Sequence, residues 1–152
     1  MEKIEQIIEQ IIEQEVIDLH NVFIDWFTAI ADKKGLENKL ASRFNEKTIF
    51  ITTQGESVSY HNLMEMFESG FGKMNSDFKI LISNVEVLHE IGEYVLINYI
   101  EWQTTDSNPQ SSGNYSVRKT TALITKQKPF EWLHIHETMM PKPNEIIEDW
   151  RS

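Results

Sequence analysis

From Phe78 onward the chain runs through four β-rich segments divided only by short turn sequences, and this limits what it can fold into more than any other feature. The segments are 78–88, 94–104, 115–126 and 130–139, and Gly92, the stretch 106–113 and the stretch 127–129 punctuate them. Connections this short join antiparallel neighbours, because parallel strands need a crossover of a dozen or more residues. The spacing therefore predicts an antiparallel meander in the second half of the chain.

The first half has a helical period. Residues 3–34 contain no Gly or Pro. Within them Ile12, Val16, Leu19, Phe23, Trp26 and Ile30 recur in steps of three and four, one stripe of an amphipathic helix. Ile4, Ile7, Ile8 and Ile11 extend the stripe upstream between glutamates. A helix of about 30 residues would be about 45 Å long, so the first ten residues are expected to project or pack on a partner, and residues 1–14 read as a helical extension continuous with the first helix. Gly35 reads as its stop. A short helix over 36–43, a strand over 44–53 and a helix from Tyr60 to Phe71 follow, the last capped by Ser57 or Ser59. Residues 15–140 then form the domain, and 141–152 a tail with one helical turn at 145–150. Helices first and a meander after them make an α+β fold with the helices on one sheet face. A curved sheet closed over by helices is a cone with a mouth, a natural pocket.

Composition removes several functions. With 152 residues and no cysteine, the chain has no disulfide framework, thiolate metal site or cysteine nucleophile. A net charge of −10 argues against nucleic acid or an anionic membrane as partner. There is no apolar run of about 18 residues and no basic, apolar leader, so a cytoplasmic protein is expected. No glycine-rich phosphate loop or Gly-x-Ser-x-Gly elbow is present.

Strand parity sorts the remaining candidates. Tyr99 and Glu101 share a face with Val95 and Ile97. If the 106–113 turn centres near Pro109–Gln110, residues whose numbers sum to about 219 face each other, which sets Glu101 opposite Arg118. The next turn sets Arg118 near Glu137 or Thr138. Two readings follow: a pocket acid held by a guanidinium with a second carboxylate beside it, or a cross-strand surface ion pair. Trp132, His134 and His136 are assigned to one face of the last strand, and Leu133, Ile135 and Glu137 to the other. His134 and His136, about 7 Å apart on one side of a strand, form an alternative metal pair, or simply pack at a sheet or subunit surface. His61 opens a helix beside Tyr60, where a neutral imidazole could meet a ligand or face solvent. Trp26, Phe27, Phe67 and Phe71 should meet the sheet, as core or as cavity lining.

Several pieces of this pattern resemble the SnoaL-like branch of the nuclear transport factor 2-like superfamily, and especially the association domain of calcium/calmodulin-dependent kinase II. They are Phe23-Ile-Asp-Trp-Phe27, Phe50-Ile-Thr-Thr-Gln-Gly55, Tyr60-His61, Tyr99-Ile-Glu101 and Trp132-Leu-His-Ile-His-Glu-Thr138. The resemblance implies a conical, cystatin-like α+β roll: a long N-terminal helix and two shorter ones on a strongly curved, mostly antiparallel sheet. It implies homodimers through the outer sheet face. It also implies that Glu101 and Glu137 point into the cavity while His134 and His136 point outward. His61 falls on a pocket histidine of the association domains, and Arg118 lies near a pocket arginine. Glu101 and Glu137 stand where those domains carry arginines, so a cationic or hydrogen-bond-donating ligand is expected here.

The functional expectation is a small-molecule-binding cavity, with isomerase, cyclase or dehydratase chemistry that needs no cofactor. Glu101 would be the base, oriented by Arg118. His61, Tyr99, Glu137, Trp26 and Phe71 would contact the small organic ligand. The alternative is a non-catalytic homo-oligomeric association module.

Overall fold

The structure, a computed structural model, describes residues 2–143. Helix α1 (Glu2–Thr28) and helix α2 (Lys33–Ala41) precede strand β1 (Ile49–Ile51), strand β2 (Ser57–Ser59) and helix α3 (Tyr60–Gly70). Then come β3 (Lys79–Ile91), β4 (Tyr94–Thr104), the single turn α4 (Pro109–Ser112), β5 (Ser116–Thr125) and β6 (Trp132–Met139). One six-stranded sheet has the order β2-β1-β6-β5-β4-β3. Every neighbouring pair is antiparallel except β1 with β6. This is the α+β architecture expected from the sequence, with α4 as an added turn inside the β4–β5 connection.

The first helix ends earlier than the spacing predicts. Ala29 adopts φ 52°, and the Ala29 and Ile30 amides donate to Trp26 and Asp25 carbonyls in a Schellman arrangement. The segment after α3 completes the stop, since Gly72 N and Met74 N donate to the Trp26 and Phe27 carbonyls. Asp32 caps α2 by accepting from Gly35 N, so the expected stop glycine lies inside the next helix. Ile30 is 74% exposed and leaves the stripe. The strand expected over 44–53 is only three residues long. The helical turn expected at 145–150 lies outside the described residues.

The core sits between α1, α2, α3 and the concave sheet face. Ile12, Val16, Leu19 and Trp26 of α1 are buried against Val95, Ile97 and Tyr99 of β4 and Ala122 and Ile124 of β5. Each fully buried large apolar side chain contributes about 1.5–3 kcal/mol. Two register shifts in β3, between Ser83 and Glu86 and between Val87 and His89, bend the sheet over the helices. A third shift, between Leu123 and Ile124 against β6, bulges Leu133. That extra residue turns Trp132 onto the inner face with Ile135 and Glu137, correcting the parity assignment that placed it with His134 and His136.

A buried polar clamp ties α1 and β6 to the segment after α2. Arg43 donates from Nε and Nη2 to the two Glu15 oxygens at 2.9 and 3.1 Å. Trp132 Nε1 donates to Glu15 Oε2 at 2.8 Å. The carboxylate is thus desolvated but fully engaged, the condition under which a buried charge is tolerated.

Candidate functional site

The concave face and the helices enclose a cavity of about 480 Å³, within the range of small-molecule sites. Its walls include Phe23, Phe27, Phe44, Phe50, Phe67 and Phe78. Phe23 and Phe44 both lie nearly parallel to Phe67, with centroids 5.5 and 5.9 Å away. Met66 and Met74 also line it and are half exposed.

The polar side chains converge from α1, β4, β5 and β6. Tyr99, Glu101, Gln103, Arg118 and Glu137 line the cavity together with His20. Glu101 stands directly opposite Arg118, as the turn arithmetic predicts. The β5–β6 register differs from the expected one: Thr120 faces Glu137, and Arg118 faces Met139. Arg118 still reaches Glu137 diagonally, Nη1 donating to Oε2 at 3.3 Å. Diagonal neighbours on one sheet face are within reach of long side chains.

His20 is a buried cavity residue that the sequence pattern did not single out. Its Nε2 lies 3.0 Å from Glu101 Oε1, and its Nδ1 lies 2.7 Å from the Val16 carbonyl oxygen. The carbonyl can only accept, so Nδ1 carries a hydrogen. One further proton is then shared between Nε2 and the carboxyl group, as an imidazolium–carboxylate pair. Gln103 Nε2 donates to the other Glu101 oxygen. The available signal was a polar residue on a stripe that should be apolar. His20 follows Val16 by four and precedes Phe23 by three, as Glu15 precedes Leu19 by four.

The electrostatics separate the two acids. Burial pushes Glu101 up, but the His20 charge and hydrogen bond, with Arg118 and Gln103, outweigh it and hold the carboxyl below its usual range. Burial pulls His20 down, and Glu101, the Val16 carbonyl and Glu137 together hold it above the usual imidazole value. Burial and then the Glu101 charge push Glu137 up to about 7, against the opposing pull of Arg118 and His20. Burial and the two carboxylates lift Tyr99 well above an ordinary phenol, so it stays a hydrogen donor, with its oxygen 3.4 Å from His20 Nε2. The site thus holds one acid locked in an ion pair and one that titrates near neutrality.

Three expected contacts lie elsewhere. His61 is exposed on α3, off the stripe of Leu63 and Phe67 that faces inward, and does not line the cavity. Trp26 is buried behind the cavity wall, with Nε1 donating to the Phe67 carbonyl at 2.7 Å. Phe71 ends α3 and packs edge-on against Trp26, 4.6 Å between centroids. Both aromatics pin α1 to α3 rather than line the cavity. His134 and His136 pair with Leu123 and Thr121 on the outer sheet face. Among the described residues no three His, Cys, Asp or Glu side chains converge as a metal set. Nor is any helix there long and apolar enough to cross a membrane.

Solved structures reproduce this architecture. A nuclear transport factor 2-like protein of unknown function from Pseudomonas aeruginosa aligns with a TM-score of 0.74 at 22% identity, over 85% of this chain and 98% of that one. A nuclear transport factor 2-like superfamily protein from Salmonella enterica aligns at 0.57 and 15% identity, over 91% and 97%. The association domain of calcium/calmodulin-dependent kinase II from C. elegans aligns at 0.56 and 10% identity, over 86% and 97%. No family model matches the sequence, and no curated protein does. The chain therefore has the nuclear transport factor 2-like, cystatin-like fold. Within that fold its architecture is similar to that of the kinase association domains.

Proposed function

We propose that the chain is a SnoaL-like protein whose cavity binds a small organic molecule and transfers a proton on it, as in an isomerisation, cyclisation or dehydration. The observation that carries this reading is Glu137. It is a buried carboxyl on the cavity wall, titrating near pH 7, beside an acid already neutralised by His20. A carboxyl of that pKa accepts a proton in one step and returns it in the next at neutral pH. Glu101 with His20, and Arg118, fix the charge around it, and the Tyr99 phenol donates a hydrogen bond. This shifts the proton-transfer role from Glu101, the expected base, to Glu137, because Glu101 is held ionised by its partners. Base-catalysed ring opening of a benzisoxazole tests it without knowledge of the natural substrate. Acceleration over buffer that rises with pH through about 7, and is lost in Glu137→Gln, is the expected result. No acceleration removes the catalytic part and leaves binding.

A second reading, homodimeric assembly, is favoured by the outer sheet face. Leu96, Ile100 and Leu123 are only half-buried there, beside His134 and His136. A dimer in solution that Leu123→Lys converts to monomer supports it; a monomeric parent protein sinks it.

A further inference from the structure

With Glu137 ionised, the polar end of the cavity is charge-balanced acid by acid. Glu101 has His20 at 3.0 Å, and Glu137 has Arg118 at 3.3 Å. His20 therefore removes the net acidity that the two glutamates imply when read from the sequence. A charged ligand entering this Phe-lined space meets no counter-charge that is not already engaged, and loses its hydration without compensation.

The unused hydrogen-bonding capacity is narrower than the charge. Glu137 uses Oε2 on Arg118, and no hydrogen bond among the described residues reaches its Oε1. Arg118 Nε is buried with no partner, and a guanidinium has five donors of which one is engaged on a side chain here. Glu137 Oε1 and the remaining guanidinium N–H groups thus belong to one ion pair on the cavity wall. We infer that the cavity takes a neutral, largely apolar molecule with an amide or lactam edge, its N–H donating to Glu137 and its carbonyl accepting from Arg118. The stacked Phe23, Phe67 and Phe44 rings suit a flat body behind that edge.

This rests on the reading of the cavity as a ligand site, and the test separates the two. Naphthamide, naphthoate and naphthylmethylamine share one ring system and differ in charge at the polar end. Titration calorimetry of the full chain at about pH 8, above the Glu137 pKa of about 7, should show naphthamide binding at least about tenfold more tightly than either ion. Glu137→Gln leaves Arg118 uncompensated and should move the preference to naphthoate. Arg118→Gln leaves Glu137 uncompensated and should move it to the amine. A parent protein that prefers either ion overturns the inference while the cavity stands as a ligand site. Variants whose order of preference matches the parent overturn it too. Failure of all three probes to bind the parent protein overturns both readings. The order in the parent protein needs no variant to fold, and the melting temperature of each variant identifies any that does not.

Discussion

His20 on α1 and Glu101 on β4 meet with Nε2 3.0 Å from Oε1, both side chains almost fully buried. The pair joins the first helix to β4, one strand in from the sheet edge, and decides the charge of the cavity. Truncating one partner leaves the other as an uncompensated buried ion. His20→Leu should lose about 3–5 kcal/mol at neutral pH in urea unfolding. The double variant His20→Leu, Glu101→Leu should recover part of that loss, since both charges are then gone. Additive losses in the double variant would show that the two groups do not interact.

Glu137 makes stability fall with rising pH. Its folded pKa, about 7, lies above the ordinary 4.5. Between those values the folded state holds more protons than the unfolded one, so stability declines as pH rises through that window. His20 acts in the same direction, because an imidazole raised by folding stabilises fully below its unfolded pKa and loses that contribution as pH rises through the folded one. Glu101, held low, stabilises above its unfolded value and loses this only as pH falls through its folded pKa. The urea midpoint should therefore drop from about pH 5 to pH 8, with Glu137 alone contributing the equivalent of about 3 kcal/mol. In Glu137→Gln the slope should be smaller. An unchanged slope would place the titration elsewhere.

The Glu15–Arg43 pair should be structural: neither residue lines the cavity, although Trp132, which Glu15 holds, does. Arg43→Met strands a carboxylate that is 3% exposed and should lose about 3–5 kcal/mol. Glu15→Gln with Arg43→Met should lose less. Ligand affinity per folded molecule should stay unchanged in both, as measured by calorimetry.

Gly70 is held to glycine by contact. A Cβ there would lie 2.7 Å from Phe27 Cε1, on a ring that lines the cavity. Gly70→Ala should displace that ring, lose about 1–3 kcal/mol and change ligand affinity. An unchanged urea midpoint together with unchanged affinity would show that the ring moves freely.

The α+β order, the meander and the Glu101–Arg118 opposition were readable in the sequence, because alternation and turn position act locally. A hairpin turn sets its own register, and a period of two sets which face a side chain takes. What lay beyond local rules came out differently. The Leu133 bulge turned Trp132 inward, and α1 stopped at Thr28 because the chain after α3 docks on its last carbonyls. His61 looked placed for a ligand but sits off the inward stripe of α3, a matter of how that helix is rotated on the sheet. Above all, His20 and Glu101 are 81 residues apart, and no spacing rule connects them. Which residues alternate and which repeat at helical steps was already legible in the order of side chains, since these follow from backbone geometry over a few residues. Which helix residue meets which strand residue emerged with the packed fold, because that contact depends on how the helices cross the curved sheet.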